Sequence, residues 1–294
     1  MRSKFNYLRP VSPQEAAEVK AKYGRRARCL AGGTDLMLQC RHGIFNSEYC
    51  LDLTYIPELN YIRVGSNDLK IGPLTTLNQL ENLKEEDSLI SSIRGTVSQM
   101  CTPQLRNLAT IGGNLCNASP AADLSTLLIA LNATGKILSS SGERSLPLED
   151  FFTGVNKTAL EEDEFLSGIQ IPIPALRTGH SFSRIGRTVI DIAQVNAAVS
   201  LSVDENGIIV DPRIVLGAVA PTPIRSSAAE KALSGIEISR VDDNLIQEAG
   251  KLAAADARPV SDIRAAADYR KYVCGVLARR SIEESILKLN GAIS

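Results

Sequence analysis

Two Gly-Gly pairs stand in segments rich in hydroxyl and amide side chains: Ala31-Gly32-Gly33-Thr34-Asp35 and Thr110-Ile111-Gly112-Gly113-Asn114. Glycine lets a main chain approach a ligand closely and tolerates positive φ. Successive N–H groups in such turns form concave anion sites. The pairs lie about 80 residues apart, and no other Gly-Gly occurs. Two such turns suit a ligand with an extended phosphate and several polar groups, as in a dinucleotide. Either turn alone is also compatible with a purely structural role.

The flanks sharpen the first reading. Arg28-Cys29-Leu30 leads into the first turn, and Thr34 or Asp35 is placed to cap a short helix. Free N–H groups and the macrodipole at such a start favour pyrophosphate. The second turn lies within Thr102–Asp123, a stretch of small and amide residues with little apolar periodicity. Long polar segments inside a compact domain are usually functional or disordered, and the glycines with their apolar flanks predict an ordered, functional loop.

Elements that position these turns follow from local pattern. Ser12-Pro13-Gln14-Glu15 predicts a capped helix closed by Gly24. Strands are expected at Ala27–Ala31 and Glu48–Leu53, which makes a small α/β unit. A hairpin is expected around Gly65-Ser66-Asn67-Asp68, with helices after Thr76 and over Ser88–Met100 and strands at Lys136–Leu138 and Phe165–Ile173. Phe182–Ile185, Val195–Val203, Ile208–Val210 and Ile214–Val219 read as strands, the tail after Ile224 as helical, and Ser261-Asp262 as the cap of the last helix. The expected fold is α+β: a two-part domain over 1–175, divided at about 56/57, then antiparallel strands and helices over 176–294.

Composition excludes several classes. The chain has 294 residues, 32 basic against 33 acidic, so no broad field recruits nucleic acid. There is no tryptophan, and aromatics are few, which argues against base-stacking platforms. No apolar run is long enough for a bilayer, and no signal-peptide pattern opens the chain; a cytoplasmic location is expected, without membrane insertion. The six cysteines and two histidines match no metal-ligand spacing. Dinucleotide-fold G-x-G-x-x-G, P-loop and G-x-S-x-G motifs are absent. No nucleophile–base constellation marks a catalytic residue on this chain.

The paired segments, in this order, resemble the FAD-binding medium subunits of the molybdenum hydroxylases, of the xanthine dehydrogenase and carbon monoxide dehydrogenase type. The likeness spans nearly the whole chain, including Ser261–Arg270 near the end. It implies that Arg28, Cys29, Leu30, Ala31, Gly32, Gly33, Thr34 and Asp35 wrap the FAD pyrophosphate. It implies a second cofactor segment at Thr110, Ile111, Gly112, Gly113 and Asn114. Asp123 would accept hydrogen bonds from a sugar-like portion of FAD, Leu166 would make an apolar contact, and Arg184 stands where the family often has lysine beside the flavin. Read without the family, Asp123 also suits a helix cap, Leu166 strand core, and Arg184 a surface or interface cation. Arg106 suits either a flavin contact or an internal salt bridge, and Cys101 and Cys116 suit packing.

The resemblance further implies partners: a large molybdopterin subunit and a small [2Fe–2S] subunit. Electrons would pass to FAD and on to NAD⁺ or another acceptor. Thr34-Asp35 and Gly217–Arg225 look more like the xanthine than the carbon monoxide type, so xanthine or another N-heterocycle is the expected substrate of the complex. The cysteine-rich insertion of the 4-hydroxybenzoyl-CoA relatives is absent. A stand-alone flavin oxidoreductase and a non-enzymatic nucleotide-binding module are the alternatives.

Overall fold

The computed structural model describes residues 5–44, 47–84 and 87–291. The chain forms three main sheets in sequence order. The first comprises β1 (Asn6–Leu8), α1 (Pro13–Tyr23), β2 (Ala27–Leu30), α2 (Leu36–Arg41) and β3 (Tyr49–Asp52), with strand order β1-β3-β2 and both pairings parallel. Ser12 caps α1 by accepting from the Glu15 N–H, and the Glu15 carboxylate accepts from the Val11 N–H. The cap therefore forms as its sequence demands. Ala16 and Ala17 are buried with Leu51, Leu53 and Ile56 in one small core.

The second part carries β4 (Ile62–Val64), β5 (Asp68–Ile71), α3 (Leu77–Glu81), α4 (Ser88–Ser98), α5 (Pro103–Arg106), α6 (Ile111–Asn117) and α7 (Asp123–Ala130). It continues with β6 (Thr134–Ser139), β7 (Gly142–Pro147), α8 (Leu148–Phe151), β8 (Phe152–Gly154), β9 (Lys157–Thr158) and β10 (Phe165–Pro172). Its main sheet is antiparallel, in the order β4-β5-β10-β6-β7. Every residue of α7 is buried, so this apolar run shows no amphipathic stripe. It lies between α4 and the third sheet.

The third part has β11 (Arg177–Ile185), β12 (Val195–Val203), β13 (Ile209–Gly217), β14 (Ile224–Arg225), α9 (Ser227–Leu233), α10 (Asp243–Asp256) and α11 (Ala267–Leu289). The sheet is antiparallel in the order β11-β12-β13-β14. Val195, Ala197, Val199, Leu201 and Val203 pack in the core that holds α10 and α11, while Ala198 packs in the core that holds α4 and α7. Both faces are covered, which explains why apolar residues in β12 do not simply alternate with polar ones, as in Ala197-Ala198-Val199.

Two sequence expectations change here. The segments 208–210 and 214–219 are not two strands: most of both falls in one strand, β13, with an extra residue opposite Ser200–Ser202, and Ile208, Ala218 and Val219 lie outside it. Asp211 sits at φ +45 within this bulge. Pro212 beside it is tolerated because a bulge leaves its strand position unpaired. The last helix starts at Ala267, not beside Ser261-Asp262. Asp262 instead closes a local turn by accepting from the Arg264 and Ala265 N–H groups, and it pairs with Arg270. Ser261 still reaches the helix, accepting from the Ala267 N–H at 2.9 Å.

Candidate functional site

The first Gly-Gly turn leaves β2 at its last residue and enters α2. Gly33 adopts φ +73, which glycine alone takes at no cost. The Met37 N–H donates to the Gly33 carbonyl and starts the helix. The N–H groups of Gly32, Gly33, Thr34, Asp35 and Leu36 have no acceptor among the described residues. Asp35 occupies the cap position of α2, but its side chain accepts no hydrogen bond there. The turn is thus a row of main-chain donors with their capacity open.

The second turn is built differently. It is the first turn of helix α6, not the open loop expected from its composition. Thr110 caps it, accepting from the Gly113 N–H at 3.1 Å. The Ile111 N–H donates to Thr75 O, the Gly112 N–H to Pro73 O, and the Asn114 N–H to Thr110 O. A Cβ on Gly112 would lie 2.7 Å from the Pro73 carbonyl oxygen, so this glycine permits the helix to press on the segment before α3. The Asn114 side-chain oxygen Oδ1 is buried and has no partner. A buried acceptor left in this state points to a ligand or solvent group.

Main-chain contact holds the two turns together. A Cβ on Gly32 would fall 1.8 Å from the Leu108 carbonyl oxygen. A Cβ on Gly113 would come within 3.9 Å of Ala31 Cβ. Both turns line one cavity of about 420 Å³. Arg28, Cys29, Ala31, Gly32, Gly33, Thr34, Asp35, Thr110, Gly112, Gly113, Asn114 and Leu166 all line it. Leu30 and Ile111 do not; both are buried in packing behind the wall.

Asp123 and Arg184 also stand outside the cavity lining. They pair with each other, Arg184 Nη1 lying 3.2 Å from Asp123 Oδ2, both nearly fully buried. Asn196 Nδ2 donates to Asp123 Oδ1 at 2.7 Å, and Thr126 donates to Asn196 Oδ1 at 2.9 Å. Arg184 also donates to the carbonyls of Gln99 and Asp191. Burial pushes the Asp123 carboxyl up, against the opposing pull of Arg184 and Asn196. This network pins β11 and β12 to α7 and the end of α4. Arg106 takes the internal role among those open to it: its guanidinium grips Glu81 at 2.7 and 3.0 Å.

Several cavity residues had no counterpart among the sequence candidates. Lys20, Arg25, Gln39, Asn117, Glu162 and Glu164 all reach it. Lys20 carried a faint signal: it lies four residues after Ala16 on the buried face of α1. Arg25 and Glu162 form an exposed ion pair of 2.8 Å within the lining. Arg144 grips Glu164 through two bonds and holds its carboxyl below the usual range. Cys116 is pushed up to about 12 by burial and by nearby Cys29, so these thiols pack as neutral groups.

Comparison with known proteins adds a family to this geometry. The model of the FAD binding domain in molybdopterin dehydrogenase matches residues 3–174, and that of the CO dehydrogenase flavoprotein C-terminal domain matches 180–285. The carbon monoxide dehydrogenase medium chain of Afipia carboxidovorans is 34% identical over 281 residues, 96% of each chain. This chain belongs to the FAD-binding medium subunits of the molybdenum hydroxylases. The family also includes the xanthine dehydrogenase FAD-binding subunit of Escherichia coli O157:H7, 30% identical over 271 residues and 91% of each chain. A crystal structure of a Cu,Mo-CO dehydrogenase superposes with a TM-score of 0.91 at 33% identity, covering 98% of this chain and 99% of that one. The medium-subunit fold is therefore kept throughout, and the relatives act in oxidoreductase complexes.

Proposed function

We propose that this medium subunit holds FAD in the cavity between its two Gly-Gly turns. It would receive electrons from [2Fe–2S] clusters of a small partner subunit and pass them, by way of FAD, to NAD⁺ or another acceptor. Substrate oxidation would take place on a molybdopterin-bearing large subunit, with xanthine or another N-heterocycle as substrate. Thr34-Asp35 and Gly217–Arg225 support that choice, while the relatives themselves divide among carbon monoxide, xanthine, caffeine and nicotinate dehydrogenases. Six free thiols fit a cytoplasmic setting.

The observation that carries the reading is the open row of N–H donors at Gly32–Leu36 in the wall of a cavity that Asn114, with its buried and unpartnered Oδ1, also lines. Arg28 lines that cavity too and has no carboxylate partner among the described residues. Donors, cations and a free acceptor together match a dinucleotide with an anionic centre and polar ends. Bound FAD supplies the electron-exchange chemistry, and the protein positions it. Gly32–Leu36 would hold the diphosphate through main-chain N–H groups. Asn114 would accept from a polar group of the cofactor, and Leu166 would exclude water from its apolar part. The Asp123–Arg184 pair would act at one remove, fixing the third sheet against the FAD-binding part. No side chain of this subunit is assigned a proton-transfer role.

The test is the visible spectrum of the purified chain, alone and with its partner subunits, after incubation with FAD. A stoichiometric flavin spectrum is expected. No flavin uptake under either condition contradicts the reading.

A further inference from the structure

Lys20 is the odd member of helix α1. Only 8% of the residue is exposed, and it shares the buried face with Ala16 and Ala17. Its ammonium donates to Gly24 O at 3.2 Å and to Ala27 O at 3.4 Å. No carboxylate lies within ion-pair distance of it among the described residues. A lysine ammonium has three donors, and two long bonds to carbonyls leave capacity unused. Burying such a charge is costly unless an opposite charge answers it. Lys20 lines the same cavity as Arg28, Cys29 and the open turn. Ala27, which it touches, opens the strand that leads directly into that turn.

We infer that Lys20 supplies a buried positive charge to the dinucleotide site, with the anionic diphosphate of the ligand as its counter-ion. The inference rests on the function proposed above and adds a residue to it. Lys20 reaches the site from a helix distant from both Gly-Gly turns in pattern, and it differs from Arg28 in being buried. Its two carbonyl bonds limit its rotamers. Water screens a charge in this position poorly, so its effect on an anion exceeds that of a surface lysine.

A purely structural reading is that Lys20 only closes the end of α1. The two roles separate experimentally. FAD affinity is measured by quenching of flavin fluorescence over a series of KCl concentrations, for the full chain and its Lys20→Met and Lys20→Arg variants. Melting temperature is recorded without FAD. Lys20→Met is expected to weaken FAD binding about 10- to 100-fold at low salt, as for loss of a charge-assisted hydrogen bond. Its affinity should also depend less on KCl than that of the wild type. Lys20→Arg should retain most of the affinity and the salt dependence. If Lys20→Met does not fold, Lys20→Gln, which keeps an N–H donor for the two carbonyls, is read the same way. Wild-type affinity and salt dependence in a neutral variant would overturn the inference. So would equal losses in the arginine and neutral variants that follow the melting temperature. A wild-type chain that takes up no FAD overturns both this inference and the function it rests on; uptake unaffected by the neutral variant overturns this one alone.

Discussion

The two Gly-Gly turns share a motif and a cavity, yet they use their main chains in opposite ways. The turn at Gly32-Gly33 leaves a row of N–H groups without acceptors. The turn at Gly112-Gly113 directs its N–H groups to Pro73, Thr75 and Thr110. The first is an open donor surface; the second is a fixed helix start that offers a side chain, Asn114, to the cavity. Equal glycine content therefore does not mean equal function. What differs is whether neighbouring carbonyls already satisfy the donors.

The largest effect is expected where the turns touch. Gly32→Val would drive a side chain into the Leu108 carbonyl and part the two turns. Overpacking of this kind costs about 1–3 kcal/mol or more, because main chain has to move. FAD uptake should be lost and the melting temperature should fall. Retention of both, read by flavin absorbance and thermal melting, would break the claim that the turns form one wall.

Acid sets the conditions under which the comparison is fair. Burial, aided by the charge of Lys288, holds the His180 imidazole neutral down to about pH 4, against an ordinary value of 6.5. Between those values the unfolded chain binds more protons than the folded one. Stability present above pH 6.5 is therefore lost as pH falls toward 4, by at most about 3 kcal/mol from this group. His180→Gln should flatten that part of a curve of melting temperature against pH. An unchanged acid limb would remove His180 from the account.

Asn114→Ala tests the second turn alone. It removes an acceptor that the protein itself does not satisfy. FAD affinity should fall about tenfold while the FAD-free melting temperature holds or rises slightly, as expected when an unsatisfied buried group is deleted. A large loss of stability with no change in affinity would make Asn114 structural. The smallest effect belongs to Arg25→Ala. The Arg25–Glu162 pair lines the cavity but is exposed. Such pairs contribute about 0–1 kcal/mol. FAD release should quicken by a few-fold at low ionic strength, and the difference should vanish in high salt.

Much of this was legible in local pattern. The caps at Ser12 and Thr76, the strand before and the helix after the first turn, and the α+β succession all follow from residue type and spacing. Of the twelve candidate residues around the cavity, eleven lie in the two motifs and their flanks, and Leu166 was implied by the resemblance alone. The parts not legible depend on distant carbonyls and charges. Nothing in Thr110–Asn114 announces that Pro73 and Thr75 accept its N–H groups. The resemblance implied Asp123 and Arg184 as cofactor contacts, and no local pattern announces that folding pairs them with each other outside the cavity lining. Lys20 drew no reading from the sequence, because its helix brings it to the cavity only after docking on the first sheet.

The most direct test of the central comparison is amide hydrogen exchange, residue by residue, with and without FAD. The N–H groups of Gly32–Leu36 should exchange quickly in the free chain and slow strongly when FAD binds. Those of Ile111–Asn114 should be protected in both states. Protection of the first turn that does not change on FAD binding would contradict the assignment of its open donors to the cofactor.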